Sequence, residues 1–149
     1  MRLHLDFYRT LRWAAVLGLA LCGLYGYADG GALDSLRTAK GAARLPLLLR
    51  LVNQYADTDS RQVLQYAREG YTLAGRLRLY EKQAPFCNNL AIAWTRLGEL
   101  DSAKVYFLEL GRLGRLAKNE DFIFRSAQNV ALVEYQRGHL DSAVAYFTP

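Results

Sequence analysis

The feature that most constrains the fold of this chain is a segment that returns 40 residues later. Residues 98–103 read Gly-Glu-Leu-Asp-Ser-Ala and residues 138–143 read Gly-His-Leu-Asp-Ser-Ala, so five of the six positions are identical. The correspondence extends to both sides, because Asn-Leu-Ala at 89–91 matches Asn-Val-Ala at 129–131 and Tyr-Phe occurs at both 106–107 and 146–147. Since the offset stays constant across these matches, the sequence predicts a structural repeat of 40 residues.

Each repeat is predicted to form two helices. Leu90, Ala91 and Trp94 recur at helical spacing, and Gly98 follows them as a residue that readily adopts the left-handed conformation that ends a helix. Asp101 is expected to cap the next helix, since its carboxylate can accept a hydrogen bond from a free backbone N–H. The predicted helices span residues 45–56, 59–76, 80–97, 101–117, 120–137 and 141–148.

These helices predict an all-α fold, an α-solenoid of antiparallel helix pairs. About two and a half repeats are placed at 44–78, 79–118 and 119–149, with the last one truncated. Ala91 is expected to face Ala103 where two helices cross, because small side chains let the backbones approach. No pair can bury its own apolar face, so stacking of pairs should form the core, with Cys87 as an inward-facing member.

The first 28 residues are predicted to be a secretory signal peptide. A basic start is followed by an uncharged, mostly apolar stretch over 13–25, and small residues just before Asp29 suit cleavage there. Two alternatives stay open: the segment remains as a membrane anchor, or the chain is lipidated at Cys22. The chain is therefore expected to be exported, periplasmic or secreted, or else anchored by its N-terminal segment, with residues 29–43 as a linker.

The sequence contains no arrangement of residues typical of catalysis or of metal binding. His4 falls in the predicted leader, His139 falls in a turn, and Cys87 has no histidine at a suitable partner position. The formal net charge of +5 is too mild to indicate nucleic-acid binding. We therefore expect no enzyme activity, no metal and no cofactor. The expected partner is a protein or a peptide, with membrane contact only through an uncleaved leader.

The repeats resemble the tetratricopeptide signature over roughly residues 44–149. The matching residues of the second repeat are Leu90, Ala91, Trp94, Gly98, Ala103 and Phe107. The matching residues of the third repeat are Val130, Ala131, Gly138, Ala143 and Phe147. The chain departs from the signature at Arg115, which replaces the usual proline, and its period exceeds the family's usual ~34 residues. The resemblance implies a superhelix whose concave groove, lined by the first helix of each pair, binds a protein or a peptide.

The resemblance also implies which residues face a ligand. Those expected to contact a partner in the groove are Tyr55, Asn88, Thr95, Arg96, Arg125, Gln128, Tyr135 and Gln136. Further positions of the same kind hold Leu48, Val52, Ile92 and Leu132. The function implied is that of a binding scaffold for a protein or peptide.

An alternative function comes from residues 33–36, which read Leu-Asp-Ser-Leu ahead of the repeats. This arrangement resembles the exported N-terminal sensor region of some bacterial histidine kinases and related regulators, so the alternative is the sensor region of a truncated signalling protein. The last predicted helix holds eight residues before Pro149, which would leave apolar residues such as Val144 and Phe147 uncovered. Self-association through this open C-terminal end is a further expectation.

Overall fold

The computed structural model describes residues 31–146. This part of the chain divides after Thr38, so that the helical residues 31–38 belong to one unit and the array that follows belongs to another. The segment predicted as a linker therefore includes a helical stretch, followed by a 3-10 turn at Gly41–Ala43. The predicted leader over residues 1–28, with the alternative lipidation site Cys22, lies outside the described residues.

Six α-helices follow one another in the array. They are α1 (Arg44–Tyr55), α2 (Ser60–Arg76), α3 (Tyr80–Arg96), α4 (Leu100–Ala117), α5 (Glu120–Gln136) and α6 (Leu140–Ala145). Each helix packs antiparallel against the next, and no strand occurs between residues 31 and 146. The chain is therefore all-α with an α-solenoid-like arrangement, as the sequence predicted. The first and last residues of α1 to α5, and the first residue of α6, each lie within one residue of the predicted position.

The turns between helices repeat with the same period as the sequence. Gly98 and Gly138, which follow α3 and α5, both have a φ angle of +80°. Arg78 and Lys118, which follow α2 and α4, have φ angles of 55° and 53°. Gly98 therefore ends α3 as predicted, because glycine adopts this backbone conformation without the steric penalty that a Cβ brings. The turns at Arg78 and Lys118 impose the same left-handed conformation on a residue that does carry a Cβ.

The predicted capping role of Asp101 is wrong. Helix α4 begins at Leu100, and the preceding Glu99 makes no capping hydrogen bond with its side chain. Because the helix starts one residue early, Asp101 lies inside its first turn, where its Oδ1 forms an ion pair with Arg137 Nη2 at 2.8 Å. Side-chain capping occurs instead at Asp59, which accepts hydrogen bonds from the backbone N–H groups of the first turn of α2.

The predicted alanine pair lies in the core. Ala91 and Ala103 are both fully buried in one cluster with Phe107, Val130 and Val133. This cluster joins α3, α4 and α5, so a helix pair and the first helix of the next repeat share a core. Cys87 is also buried, as predicted, in a second cluster with three apolar residues, namely Ala84, Leu110 and Leu113.

Candidate functional site

An open groove runs between α3 and α5, the first helices of two successive repeats. Its volume is about 540 Å³. The residues that line it are Asn88, Ile92, Asp121, Phe124, Arg125, Gln128 and Asn129. The groove therefore brings together four of the side chains predicted to face a ligand, namely Asn88, Ile92, Arg125 and Gln128.

The groove combines neutral amides with one apolar wall and one pair of opposite charges. Asn88 and Gln128 each offer both a hydrogen-bond donor and an acceptor. Phe124 is 65% exposed although it is a large apolar side chain. Asp121 and Arg125 are four residues apart on α5, and residues at this spacing lie on the same face of a helix. Such a surface can hydrogen-bond a peptide backbone and cover an apolar side chain at the same time.

Three predicted ligand-facing residues make contacts within the protein, one inside its own helix and two between helices. Thr95 Oγ1 donates to the carbonyl of Ala91, one turn earlier in α3, at 3.0 Å. Arg96 reaches the turn after α1, where it donates to the carbonyl oxygen of Ala56 and to Asp57 Oδ1. Tyr55 stacks on a neighbouring tyrosine ring of α2, with ring centroids 5.9 Å apart.

The remaining predicted positions fall into two groups. Leu48 and Val52 are fully buried, so the prediction that they face a ligand is wrong. They belong to the apolar stripe of α1, which packs against α2, and burial there stabilises the fold. Leu132, Tyr135 and Gln136 are exposed towards the end of α5 and are not among the residues that line the groove.

Asp121, Phe124 and Asn129 line the groove but were absent from the predicted set. Helical spacing would have identified two of them, because Asp121 lies four residues before Arg125 and Phe124 lies four residues before Gln128. Asn129 is the 40-residue counterpart of Asn89, but the Asn89 amide donates to the carbonyl of Pro85 within α3.

A second pocket, of about 590 Å³, lies at the α5–α6 end of the array. The residues that line it are Ala131, Leu132, Tyr135, Leu140, Ala143 and Val144. The atoms that these residues present to the pocket are apolar. Val144 is 64% exposed and Leu140 is 58% exposed, so this surface carries large apolar side chains in contact with solvent.

A buried carboxylate joins the last turn to the array. Glu134 is only 2% exposed, and its carboxylate lies 3.0 Å from Lys104 Nζ and 2.9 Å from His139 Nδ1. Arg137 Nη1 contacts the same carboxylate at 3.2 Å. The hydrogen bond with Lys104, followed by that with His139, lowers the pKa of Glu134 to about 2. The carboxylate is therefore ionised at neutral pH and links α4, α5 and the following turn.

The lone thiol among the described residues is unsuited to nucleophilic chemistry. Cys87 Sγ donates to the carbonyl of Tyr106 at 3.1 Å. Burial, reinforced by the negative charge of Glu109, raises the pKa of Cys87 to about 12. Since the thiolate is the reactive form, this site keeps the sulfur in its unreactive state at neutral pH.

Between residues 31 and 146, no three His, Cys, Asp or Glu side chains come together in a group that could hold a metal ion. No helix in the same part of the chain is both long enough and apolar enough to cross a membrane.

Comparisons with known proteins found no match. Neither a protein-family model, nor a curated protein, nor a solved structure matches the chain.

Proposed function

We propose that this chain is a binding scaffold of the tetratricopeptide type, which holds a peptide or an extended segment of a protein in the groove between α3 and α5. The observation that carries the proposal is the composition of that groove. Asn88 and Gln128 face it from the two helices, and Phe124 offers an exposed ring beside them. Amides in this position suit the alternating donors and acceptors of a peptide backbone, and the ring suits an apolar side chain.

The charge of the groove also favours a peptide over a polyanion. Asp121 and Arg125 are the charged residues among its lining side chains, and their formal charges cancel. A nucleic acid would need a cluster of cations to replace the counterions around its phosphates. A peptide with one charged residue can instead pair with either Asp121 or Arg125 at the rim.

The proposal is tested by selecting displayed random peptides against the full-length chain and measuring the affinity of the enriched peptides. Gln128→Trp places a large side chain in the groove, and Arg125→Glu reverses a charge at its rim. Both residues are exposed, so the fold should tolerate these changes. Each variant should weaken binding by about tenfold or more, the effect of losing a central contact.

Arg115→Glu is the matched control, because it makes the same charge reversal at an exposed position on α4. Its affinity for the selected peptides should equal that of the unsubstituted chain. Peptides that bind both groove variants as tightly as the unsubstituted chain would overturn the proposal. So would a loss of affinity in Arg115→Glu that is equal to the loss in Arg125→Glu.

A further inference from the structure

The solvent-facing side of α2 carries a row of arginines. Arg61, Arg68 and Arg76 are exposed, and their spacing places them along one side of the helix over about 22 Å. They line an open trough of about 570 Å³, in which the one carboxylate is that of Glu69. This carboxylate is already paired with Arg44 of α1. Among residues 31–146 the three arginine side chains form no ion pair, so their charges face solvent.

The neighbouring helix α4 carries a row of apolar side chains on its solvent-facing side. Helices α2 and α4 lie side by side, because Tyr71 Oη of α2 donates to Glu109 Oε1 of α4 at 2.8 Å. Val105, Leu108 and Leu116 are 63%, 44% and 46% exposed, and their spacing places them on one side of α4. A row of exposed apolar side chains, unlike a single one, indicates an interaction surface.

The two rows lie at similar levels of the array, because they occupy the same positions of the repeat. Leu108 is the 40-residue counterpart of Arg68, and Leu116 is the counterpart of Arg76. Helices α2 and α4 run parallel to each other, since both pack antiparallel against α3. The surface formed by these two sides, which we call the outer face, therefore has arginines on α2 and apolar side chains beside them on α4.

The carboxylates of α2 and α4 are all paired within the protein. Helix α4 contains two of them, Asp101 and Glu109. Asp101 Oδ1 lies 2.8 Å from Arg137 Nη2, and Glu109 Oε2 accepts from Arg112 Nε at 2.6 Å. Helix α2 contains one carboxylate, Glu69, which forms the ion pair with α1. The unpaired charge of the outer face is therefore positive.

The stacking of helix pairs leaves the outer face open. Helix α2 is followed in the array by α3, α4 and α5, and the side that carries its arginines is exposed in their presence. The equivalent side of α4 carries the apolar row, while other sides of α4 contact α3 and α5. A further helix pair in the same stack would not lie on this face. A ligand that covers it therefore comes from outside the stack.

We propose that the outer face binds the surface of a membrane that contains anionic lipids. The arginines pair with lipid phosphates, because a guanidinium can donate two hydrogen bonds to one phosphate. Val105, Leu108 and Leu116 enter the boundary between headgroups and acyl chains, which takes up apolar side chains from water. A purely acidic polypeptide pairs with the arginines but leaves the apolar row in water, whereas an anionic lipid surface suits both rows.

This membrane contact is separate from the peptide groove between α3 and α5, and it does not involve the predicted leader. A fluorescent label that responds to the polarity of its surroundings tests it locally. Nitrobenzoxadiazole is attached to the full-length chain at Leu108→Cys in a Cys22→Ser background, where Cys87 is buried. With vesicles of equal parts phosphatidylcholine and phosphatidylglycerol, we expect the emission to shift to shorter wavelength. Vesicles of phosphatidylcholine alone should give a smaller shift, because they do not attract the arginines.

Leu132→Cys is the matched control for the label, because it places the same group at an exposed leucine of α5. Its emission should not change with either kind of vesicle. Since the label reports on its own surroundings, membrane contact through the predicted leader alone would leave the label at position 108 in water.

Charge reversal tests the role of the arginines. Arg68→Glu in the chain labelled at position 108 should weaken its partitioning onto the anionic vesicles by about tenfold, because an attracted cation becomes a repelled anion. Arg50→Glu is the matched control, since it makes the same reversal at an exposed position of α1. This control should partition like the labelled chain without a charge reversal.

Four results would overturn the proposal. The first is an unchanged emission at Leu108→Cys with anionic vesicles, or an equal change at Leu132→Cys. The second is an equal loss of partitioning in Arg50→Glu and Arg68→Glu. The third is an emission at Leu108→Cys that is already shifted without vesicles, because another part of the chain or a second copy would then cover the face. The fourth is binding of polyglutamate that Arg68→Glu weakens, without any response to vesicles, which would assign the arginines to an acidic polypeptide.

Discussion

One position of the repeat is occupied by an apolar residue in the second repeat, Trp94, and by a charged residue in the third, Glu134. Position 94 carries a tryptophan that packs against the apolar cluster of α3, α4 and α5, whereas its 40-residue counterpart is Glu134. A buried carboxylate needs partners because it has lost its hydration. Here Lys104, Arg137 and His139 supply them. The same place in the repeat is thus apolar in one copy and ionic in the next.

The substitution Glu134→Gln should lower the melting temperature at pH 7, because it leaves the cations around residue 134 without their anion. The folded-state pKa of Glu134 lies near 2, below its usual value of 4.5. Its ionisation therefore stabilises the fold above about pH 4.5, and this contribution is lost as the pH falls towards 2. Thermal unfolding followed by circular dichroism should show the two melting curves converging at low pH. Parallel pH dependences in the two proteins would contradict this account.

Cys87 should resist alkylation in the folded chain, because its side chain is buried and its pKa is raised to about 12. The rate of labelling by iodoacetamide can be measured in a Cys22→Ser background, where Cys87 is the remaining thiol. We expect labelling at pH 8 to be slow in buffer and fast in denaturant. Equal rates under the two conditions would show that the sulfur is accessible in the folded state.

At the scale of the helices, close approach depends on small residues at defined points. Gly70 of α2 lies against the ring of Phe86 in α3, and a Cβ built at Gly70 would come within 2.6 Å of the ring. Gly114 of α4 lies similarly close to α5, where a Cβ would come within 3.0 Å of the backbone nitrogen of Ile123. Each glycine therefore sets the distance between two consecutive helices, at some cost in helix propensity.

Gly70→Ala should destabilise the chain, because the buried ring of Phe86 cannot move away without disturbing the core. Overpacking typically costs about 1–3 kcal/mol, which outweighs the gain of about 1 kcal/mol that alanine brings to a helix. Urea unfolding gives the free-energy difference. Gly75→Ala is the control, since there the added Cβ would meet chiefly the amide end of Gln83, and we expect a smaller loss. The reverse order of the two losses would contradict the packing argument.

Ala103→Leu should destabilise the array by about 1–3 kcal/mol, because the core around Ala103 has no room for three further carbon atoms. Ala145→Leu is the matched control, because it makes the same change at an exposed position on α6. That variant should unfold at nearly the same urea concentration as the unsubstituted chain. An unchanged midpoint for Ala103→Leu would show that the alanine pair does not mark a close crossing.

At the scale of the whole molecule, the period of the sequence predicts the succession of helices but not all of their contacts. The turn at Gly98 was predictable because glycine marks a left-handed residue. The left-handed conformation of Arg78 and Lys118 was not predictable, because residues with a Cβ rarely adopt it. Arg96 was predicted to face a ligand, but its long side chain reaches Asp57, a contact across 39 residues that helical spacing does not reveal.

Chemical-shift mapping shows whether a peptide binds between α3 and α5. A peptide from the display selection is titrated into isotope-labelled chain, and the amide resonances are followed. We expect the largest shifts in α3 around Asn88 and Ile92 and in α5 from Asp121 to Asn129. Shifts confined to α2 and α4, or to the α5–α6 end around Leu140, would contradict it.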